Sequence, residues 1–260
     1  MKKMLALFAV LCSSLSPVLA QSNSFNYDGV RQVTIQDVTI CDVEIVQSSA
    51  GTSTGDISGL AGDQTLDHRL REGELLVTGN MGNRLETIGT EHPRISLSVP
   101  NGTEVRIKTF SGSVRIEGID GGKWIETGSG SITVIGGQGN IRAESGSGDQ
   151  RYDGIRGEIN AKAKSGKIEV NNHVGSLLLE TATGSIVGRD VTARNNCSFK
   201  AGVGSVDIDF SNPSTDFSYV LKSVTGKIEV AGRSERGSVQ IGSGPIRITG
   251  STTVGRQRYE

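Results

Sequence analysis

Three scarcities frame this sequence. Only 4% of its residues are aromatic, its formal net charge is −1, and histidine occurs three times. Few aromatics leave little for an aromatic-rich globular core and suit short strands joined by tight turns. A near-neutral balance removes the basic field with which a protein tracks nucleic acid, and the acidic field that would draw a cationic partner. His68, His92 and His173 share no metal-ligand spacing with one another or with the cysteines. They are expected at the surface, with no metal and no cofactor. Beyond the N-terminus no run approaches the ~20 apolar residues of a membrane span. The Gly-Ser-Gly words are no phosphate loop either. They precede strands, and no Lys-Ser/Thr completes the motif.

The first twenty residues read as a secretory signal peptide. Lys2 and Lys3 form the positive region, residues 4–12 are apolar, and Val18-Leu19-Ala20 offers a cleavage site before Gln21. The expected location is therefore the periplasm, the cell surface or the extracellular space. Cys12 lacks the small residue before it that a lipid-anchored cysteine needs. Cys41 and Cys197 remain after cleavage, and export permits a disulfide. A bridge needs Cα atoms within about 7 Å, whereas a progressively stacked chain puts these two many coils apart. They are expected as small buried hydrophobes.

What is abundant is glycine, 36 residues of 260, about twice the usual ~7%. Ser111-Gly112-Ser113-Val114-Arg115-Ile116 recurs as Ser129-Gly130-Ser131-Ile132-Thr133-Val134, and again at 165–170, 183–186, 225–230 and 243–248. Gly112, Gly130, Gly148, Gly166 and Gly184 lie eighteen apart, followed by Gly204, Gly226 and Gly244. A weaker series, Gly139, Gly157 and Gly175, falls half a period out of phase. Each half-period thus holds one turn and one short strand. Val or Ile pairs follow most main glycines (Val114/Ile116, Ile132/Val134, Ile168/Val170, Val206/Ile208, Ile228/Val230, Ile246/Ile248) with polar residues between them. That alternation buries one face of a strand and wets the other. Ile141/Ala143, Ile159/Ala161, Leu177/Leu179 and Cys197/Phe199 fill the opposite inner wall. The predicted fold is all-β, a parallel β-helix or β-solenoid with about eighteen-residue coils. A sandwich would show similar strands but would not return the same turn word every second strand. The eight main glycines are its predicted corners, where a positive φ or tight bend is needed.

The expected organisation is a leader over 1–20, an irregular β-rich cap and first coils over 21–100, the repeat region over 101–250, and a polar capping tail over 251–260. Residues 48–62 read as a loop or irregular coil, and the charged stretch 66–74 as a solvated connector. Gln150 and Tyr152 occupy inward positions, which predicts a distorted or shifted coil. Trp124 points outward if its strand is registered back from Gly130, and inward if registered forward from Gly122.

The run Val99-Pro100-Asn101-Gly102-Thr103, then Val105-Arg106-Ile107, then the Ser-Gly-Ser-Val-Arg-Ile word and its successors resembles the bacterial exported "putative adhesin" family, a β-strand-repeat domain of unknown function. The resemblance runs roughly over residues 41–247. It implies a β-helical exported protein with a surface or envelope role, and it carries over no catalytic residue.

Chemistry, if present, must lie on outward positions. Calcium β-roll repeats need an acidic residue where Thr133 and Arg142 stand. Polysaccharide-acting β-helices cluster carboxylates on one outer face. The candidates are Glu117, Asp149, Asp153, Glu169, Glu229 and above all Asp207 and Asp209, interleaved with cations as on a solvated face. The favoured reading is an exported, non-enzymatic adhesin or envelope-binding protein. Its partner would be an envelope or host glycan or protein, bound by outward strand faces, with Trp124, Tyr152, Asp207 and Asp209 as candidate binding residues. The alternatives are polysaccharide cleavage on the same scaffold, or a purely structural assembly role.

Overall fold

The computed structural model describes residues 23–60, 64–80 and 93–260. The leader, Cys12 and His92 lie outside the described residues. The described residues are all-β, apart from a 3-10 turn at Ser214–Asp216. Its strands form one large mixed sheet wound into a solenoid-like stack with two walls. The first wall includes Glu104–Ser111, Lys123–Ser129, Ile141–Ser147 and Arg156–Ser165, each parallel to the next. The second includes Val114–Glu117, Ile132–Ile135 and Gln150–Asp153, also parallel. One long strand, Ile168–Thr183, bends through the corner and serves both walls.

The alternation places the core as expected. Val114, Ile116, Ile132, Val134, Ile168 and Val170 are fully or almost fully buried, as are Ile141, Ala143, Ile159, Ala161, Leu177 and Phe199 from the other wall. Each large aliphatic side chain so buried contributes roughly 1.5–3 kcal/mol. The corners are a ladder of stacked backbone. The amide of Gly112 donates to Ser129 O at 3.1 Å, Gly130 to Ser147 O at 2.9 Å and Gly166 to Thr183 O at 3.0 Å. A Cβ on Gly130 would lie 2.1 Å from the carbonyl oxygen of Gly112, and one on Gly148 2.1 Å from that of Gly130. These glycines are therefore required by the coil spacing as well as by their positive φ. Cys41 occupies the ladder's first place, with its amide 2.9 Å from Ser111 O. Cys41 and Cys197 are both buried free thiols. Burial pushes their pKa values up to about 12 and about 11.

The two ends depart from the expected order. At the C-terminal end, Cys197–Val203 pairs with Ile246–Val254, which pairs in turn with Phe217–Thr225. On the second wall Val206–Phe210 pairs with Gln257–Tyr259, and that strand with Ile228–Val230. The last coil of the chain thus lies between the two that precede it. The corner glycine there is Gly255, not Gly244: a Cβ on Gly255 would meet Gly204 O at 1.6 Å, and one on Gly226 would meet Gly255 O at 1.9 Å. Gly244 packs instead against the backbone of Asp216 and Phe217. Ile246 and Ile248 belong to the first wall, and only Ile248 is fully buried. Residues 251–260 are not a cap. The cap is antiparallel, from Arg233–Glu235 and Ser238–Ile241.

The N-terminal end repeats this exchange. Gln32–Ile40 lies between Glu74–Asn80 and Glu104–Ser111, and Asp42–Gln47 between Arg94–Val99 and Val114–Glu117. Residues expected to be loop or connector form strands: Ser53–Ser58 pairs antiparallel with Arg94–Val99, and Thr65–Arg71 with Glu74–Asn80. Asn23–Tyr27 continues that antiparallel cap beyond Ser53–Ser58.

The coil at Gln150 is neither shifted nor distorted. Gln150 pairs with Ile132 and Ile168, and Tyr152 with Val134 and Val170. Both are buried because they satisfy each other. Tyr152 Oη donates to Gln150 Oε1 at 2.8 Å, while Gln150 Nε2 donates to Ser145 Oγ and to Lys162 O, each at 2.7 Å. The Gln-Arg-Tyr word recurs at 257–259, where Tyr259 Oη donates to Gln257 Oε1 at 3.1 Å and Gln257 Nε2 to Lys222 O at 2.6 Å.

His173 is not a surface residue. It is fully buried and pairs with Val191 in a column that also holds Ile155. Neither ring nitrogen has a hydrogen-bond partner. Burial lowers its pKa to about 4; the backbone of Ile155 and Ser176 pulls weakly the other way without reaching hydrogen-bond geometry. The unfolded chain binds this proton near pH 6.5 and the folded chain only near pH 4, so stability falls as pH drops through that window. The full loss is about 3 kcal/mol. His173→Val should remove this contribution, so that denaturation midpoints of wild type and variant converge above pH 7 relative to their separation at pH 4. An equal midpoint shift in both on acidification would refute the assignment.

Candidate functional site

The outer face of the first wall carries the two concave regions of most interest. Parallel pairing with a constant step stacks outward side chains into columns. One column runs Arg106, Trp124, Arg142, Asn160. Trp124 is 37% exposed and points outward, the register counted back from Gly130. It is therefore flanked by an arginine on each neighbouring strand. A cleft of about 370 Å³ surrounds it, lined by those arginines with Glu104, Asn140, Glu158 and Asn160. Arg142 is tied to Glu144 at 3.0 Å, and Arg106 lies 3.8 Å from Glu104.

Beneath Trp124 the column of Val105, Lys123, Ile141 and Ile159 faces inward. Lys123 is buried, and its Nζ donates to Gly121 O at 3.0 Å and, more weakly, to Gln138 O at 3.5 Å. Burial lowers its pKa to about 8, opposed by the nearby Asp120 carboxylate. The ammonium thus ties the floor of the tryptophan cleft to the corner backbone.

Four residues further along the same strands lies a trough of about 830 Å³. Gly128 and Gly146 lie along it, with Phe110 towards one end and Lys164 towards the other. Its margin is a column of Lys108, Glu126, Glu144, Lys162 and Glu180. Lys108 and Glu126 pair at 3.2 Å, and Lys200 and Glu180 at 2.8 Å.

The other sequence candidates are not gathered here. Tyr152 is inside the stack and cannot touch a ligand. Asp207 and Asp209 do share a strand and both face outward, but on the second wall. Asp207 is held by Arg189 at 3.1 Å and approached by Arg258 at 4.0 Å. Four other carboxylates of that wall are likewise engaged. Glu117 pairs with Arg115 at 2.6 Å, and Asp153 with Arg151 at 3.2 Å. Asp149 accepts the Lys167 amide at 2.8 Å. Glu169 is held below the usual carboxylate range first by its hydrogen bond from Lys167, then by Asn171. A carboxyl so held is a poor proton donor. Among the described residues, no group of three or more His, Cys, Asp or Glu is placed to hold a metal ion.

Arg106, Asn140, Arg142 and Asn160 were not singled out by sequence reasoning. The signal that finds Arg106, Arg142 and Asn160 is the period itself: 106, 124, 142 and 160 are one column.

A family model, Toastrack DUF4097, matches residues 21–172. Two solved structures are similar to the chain. One is a putative adhesin from Bacteroides fragilis, 13% identical, with 93% of this chain and 97% of that chain covered and a TM-score of 0.47. The other is a putative cell adhesion protein from Clostridium sporogenes, 8% identical, with 92% and 98% covered and a TM-score of 0.31. No curated protein matches the sequence.

Proposed function

The chain belongs to the Toastrack DUF4097 family, and we propose that it acts as an exported, non-catalytic cell-envelope protein that binds glycan on the outer face of its first wall. One observation carries this reading: an outward indole between two arginines, in a cleft whose other walls are carboxamides and carboxylates. The apolar C–H face of a sugar ring stacks on an indole, while its hydroxyls both donate and accept. Arg106, Arg142, Asn140, Asn160 and Glu158 supply planar groups of both kinds at the rim. The paired charges keep the face solvated and near-neutral, which suits a hydroxyl-rich ligand better than a strongly charged one.

The test is an array of bacterial and host glycans probed with the purified chain, followed by titration of the best ligand against Trp124→Ala. The variant should lose about 2 kcal/mol of binding, roughly thirtyfold. Its unfolding free energy should stay within about 0.5 kcal/mol of wild type, because the ring lies at the surface. No glycan bound above background, or equal affinity of the variant, would sink this reading.

A further inference from the structure

The corner ladder changes character along its length. The residue before each corner glycine is Ser111, Ser129, Ser147, Ser165 and Thr183 in successive coils, each paired with the next. Thr183 then pairs with Val203, Val203 with Val254, and Val254 with Thr225. Val203 is 53% exposed, Val254 46% and the adjoining Val224 81%. Val203 and Val254 are partners on adjacent coils of this ridge, and Val224 stands beside it, one residue before Thr225. Nothing in the corner geometry requires Val203 or Val254, since five upstream coils turn the same corner with a hydroxyl residue.

The same ridge is bracketed by cations. Lys222 precedes Val224 by two residues on the first wall. Past the corner glycines stand Arg256 and Lys227, at positions filled by Ser113, Ser131, Asp149, Lys167, Ser185 and Ser205 in earlier coils. Lys222, Lys227 and Arg256 are all exposed. None of the three makes an ion pair among the described residues. Lys200 also borders the ridge but is neutralised by Glu180 at 2.8 Å. The capping turn adds Arg236 and Glu235, which offset each other in charge.

We propose that this C-terminal corner is a docking surface for an anionic lipid bilayer, with Val203, Val224 and Val254 entering the headgroup region and Lys222, Lys227 and Arg256 engaging lipid phosphates. An aliphatic ridge between unneutralised cations matches an interface that is apolar in depth and anionic at its surface. A soluble polyanion would use the cations and leave the valines without a role. The site is separate from the tryptophan cleft, so it stands or falls independently of glycan binding.

The experiment is co-sedimentation of the chain beginning at Gln21 with vesicles of phosphatidylcholine, alone or mixed with phosphatidylglycerol. Wild type should sediment with the mixed vesicles and not with phosphatidylcholine alone. Lys222→Gln, Lys227→Gln and Arg256→Gln should each weaken partition about fivefold. The combined Val203→Ser, Val224→Ser, Val254→Ser variant should lose about tenfold or more while melting as wild type, since serine already occupies the Val203 and Val254 position upstream and Val224 is 81% exposed. Trp124→Ala should sediment as wild type. Failure of wild type to sediment with mixed vesicles would overturn the proposal. So would unchanged partition of the triple valine variant, which would reduce the contact to charge alone with no valine entering the headgroup region.

Discussion

Removing residues 246–260 should abolish folding of everything from Cys197 onward, at a cost of roughly 5 kcal/mol or more. In a simple stack this deletion would trim an edge and leave the remaining coils paired. Here it takes out a coil with neighbours on both sides. The aromatic residues of the chain concentrate around that insertion. The rings of Tyr259 and Phe199 are 6.0 Å apart, Tyr259 and Tyr219 6.0 Å, and Phe210 and Phe217 4.7 Å. Without Ile248 and Tyr259, both fully or nearly fully buried, Phe199 and Tyr219 lose the ring between them and two strand edges on each wall are left unpaired. Hydrogen exchange should show protection retained up to about residue 193 and lost beyond it. A truncated chain that keeps protection in Phe217–Thr225 would contradict the exchanged order.

The second large effect is Gly184→Ala. Gly184 has φ +142, and an added Cβ would lie 2.0 Å from the carbonyl oxygen of Gly166. Neither atom can yield, because both belong to a hydrogen-bonded backbone ladder. The expected loss is about 3 kcal/mol or more, from strained backbone plus forced separation of two coils. Gly122→Ala is the matched control: it has no positive φ and nothing within 4 Å of the added atom. It should change stability by no more than about 0.5 kcal/mol. Chemical denaturation of the two variants decides the matter, and equal midpoints would remove the ladder as a source of specificity.

Periodicity made the corners and the inward pairs legible, because each is a local consequence of one turn and one alternating strand. It could not order the terminal coils. Equivalent strands carry interchangeable pairing edges, so a repeat says that a strand stacks on its like without saying which one. Ser243-Gly244-Pro245-Ile246 imitates the corner word, and that drew the eighth corner away from Gly255. A better clue was present. Val203 and Val254 are the two residues other than Ser or Thr that precede a corner glycine in this ladder, and they are partners. The undistorted coil at Tyr152 and the burial of His173 escaped for a different reason. A buried polar group argues for distortion or for the surface, yet Tyr152 brings its own acceptor in Gln150, and His173 remains inside with none. The candidate site was half readable. Trp124 stood out by composition, but its flanking arginines emerge only when the period is read across strands rather than along them.

Placing the first and last coils second from each end also determines how the molecule meets force. In an ordinary solenoid a pull on a terminus peels one coil at a time, each step breaking a single ladder. Here a load on Glu260 is carried by Gln257–Tyr259 and Ile246–Val254 against a neighbour on either side, so two parallel ladders must shear together on each wall. Residues 32–47 are clasped in the same way at the other end. Tension applied through either terminus is thereby spread over two interfaces before any coil can come free.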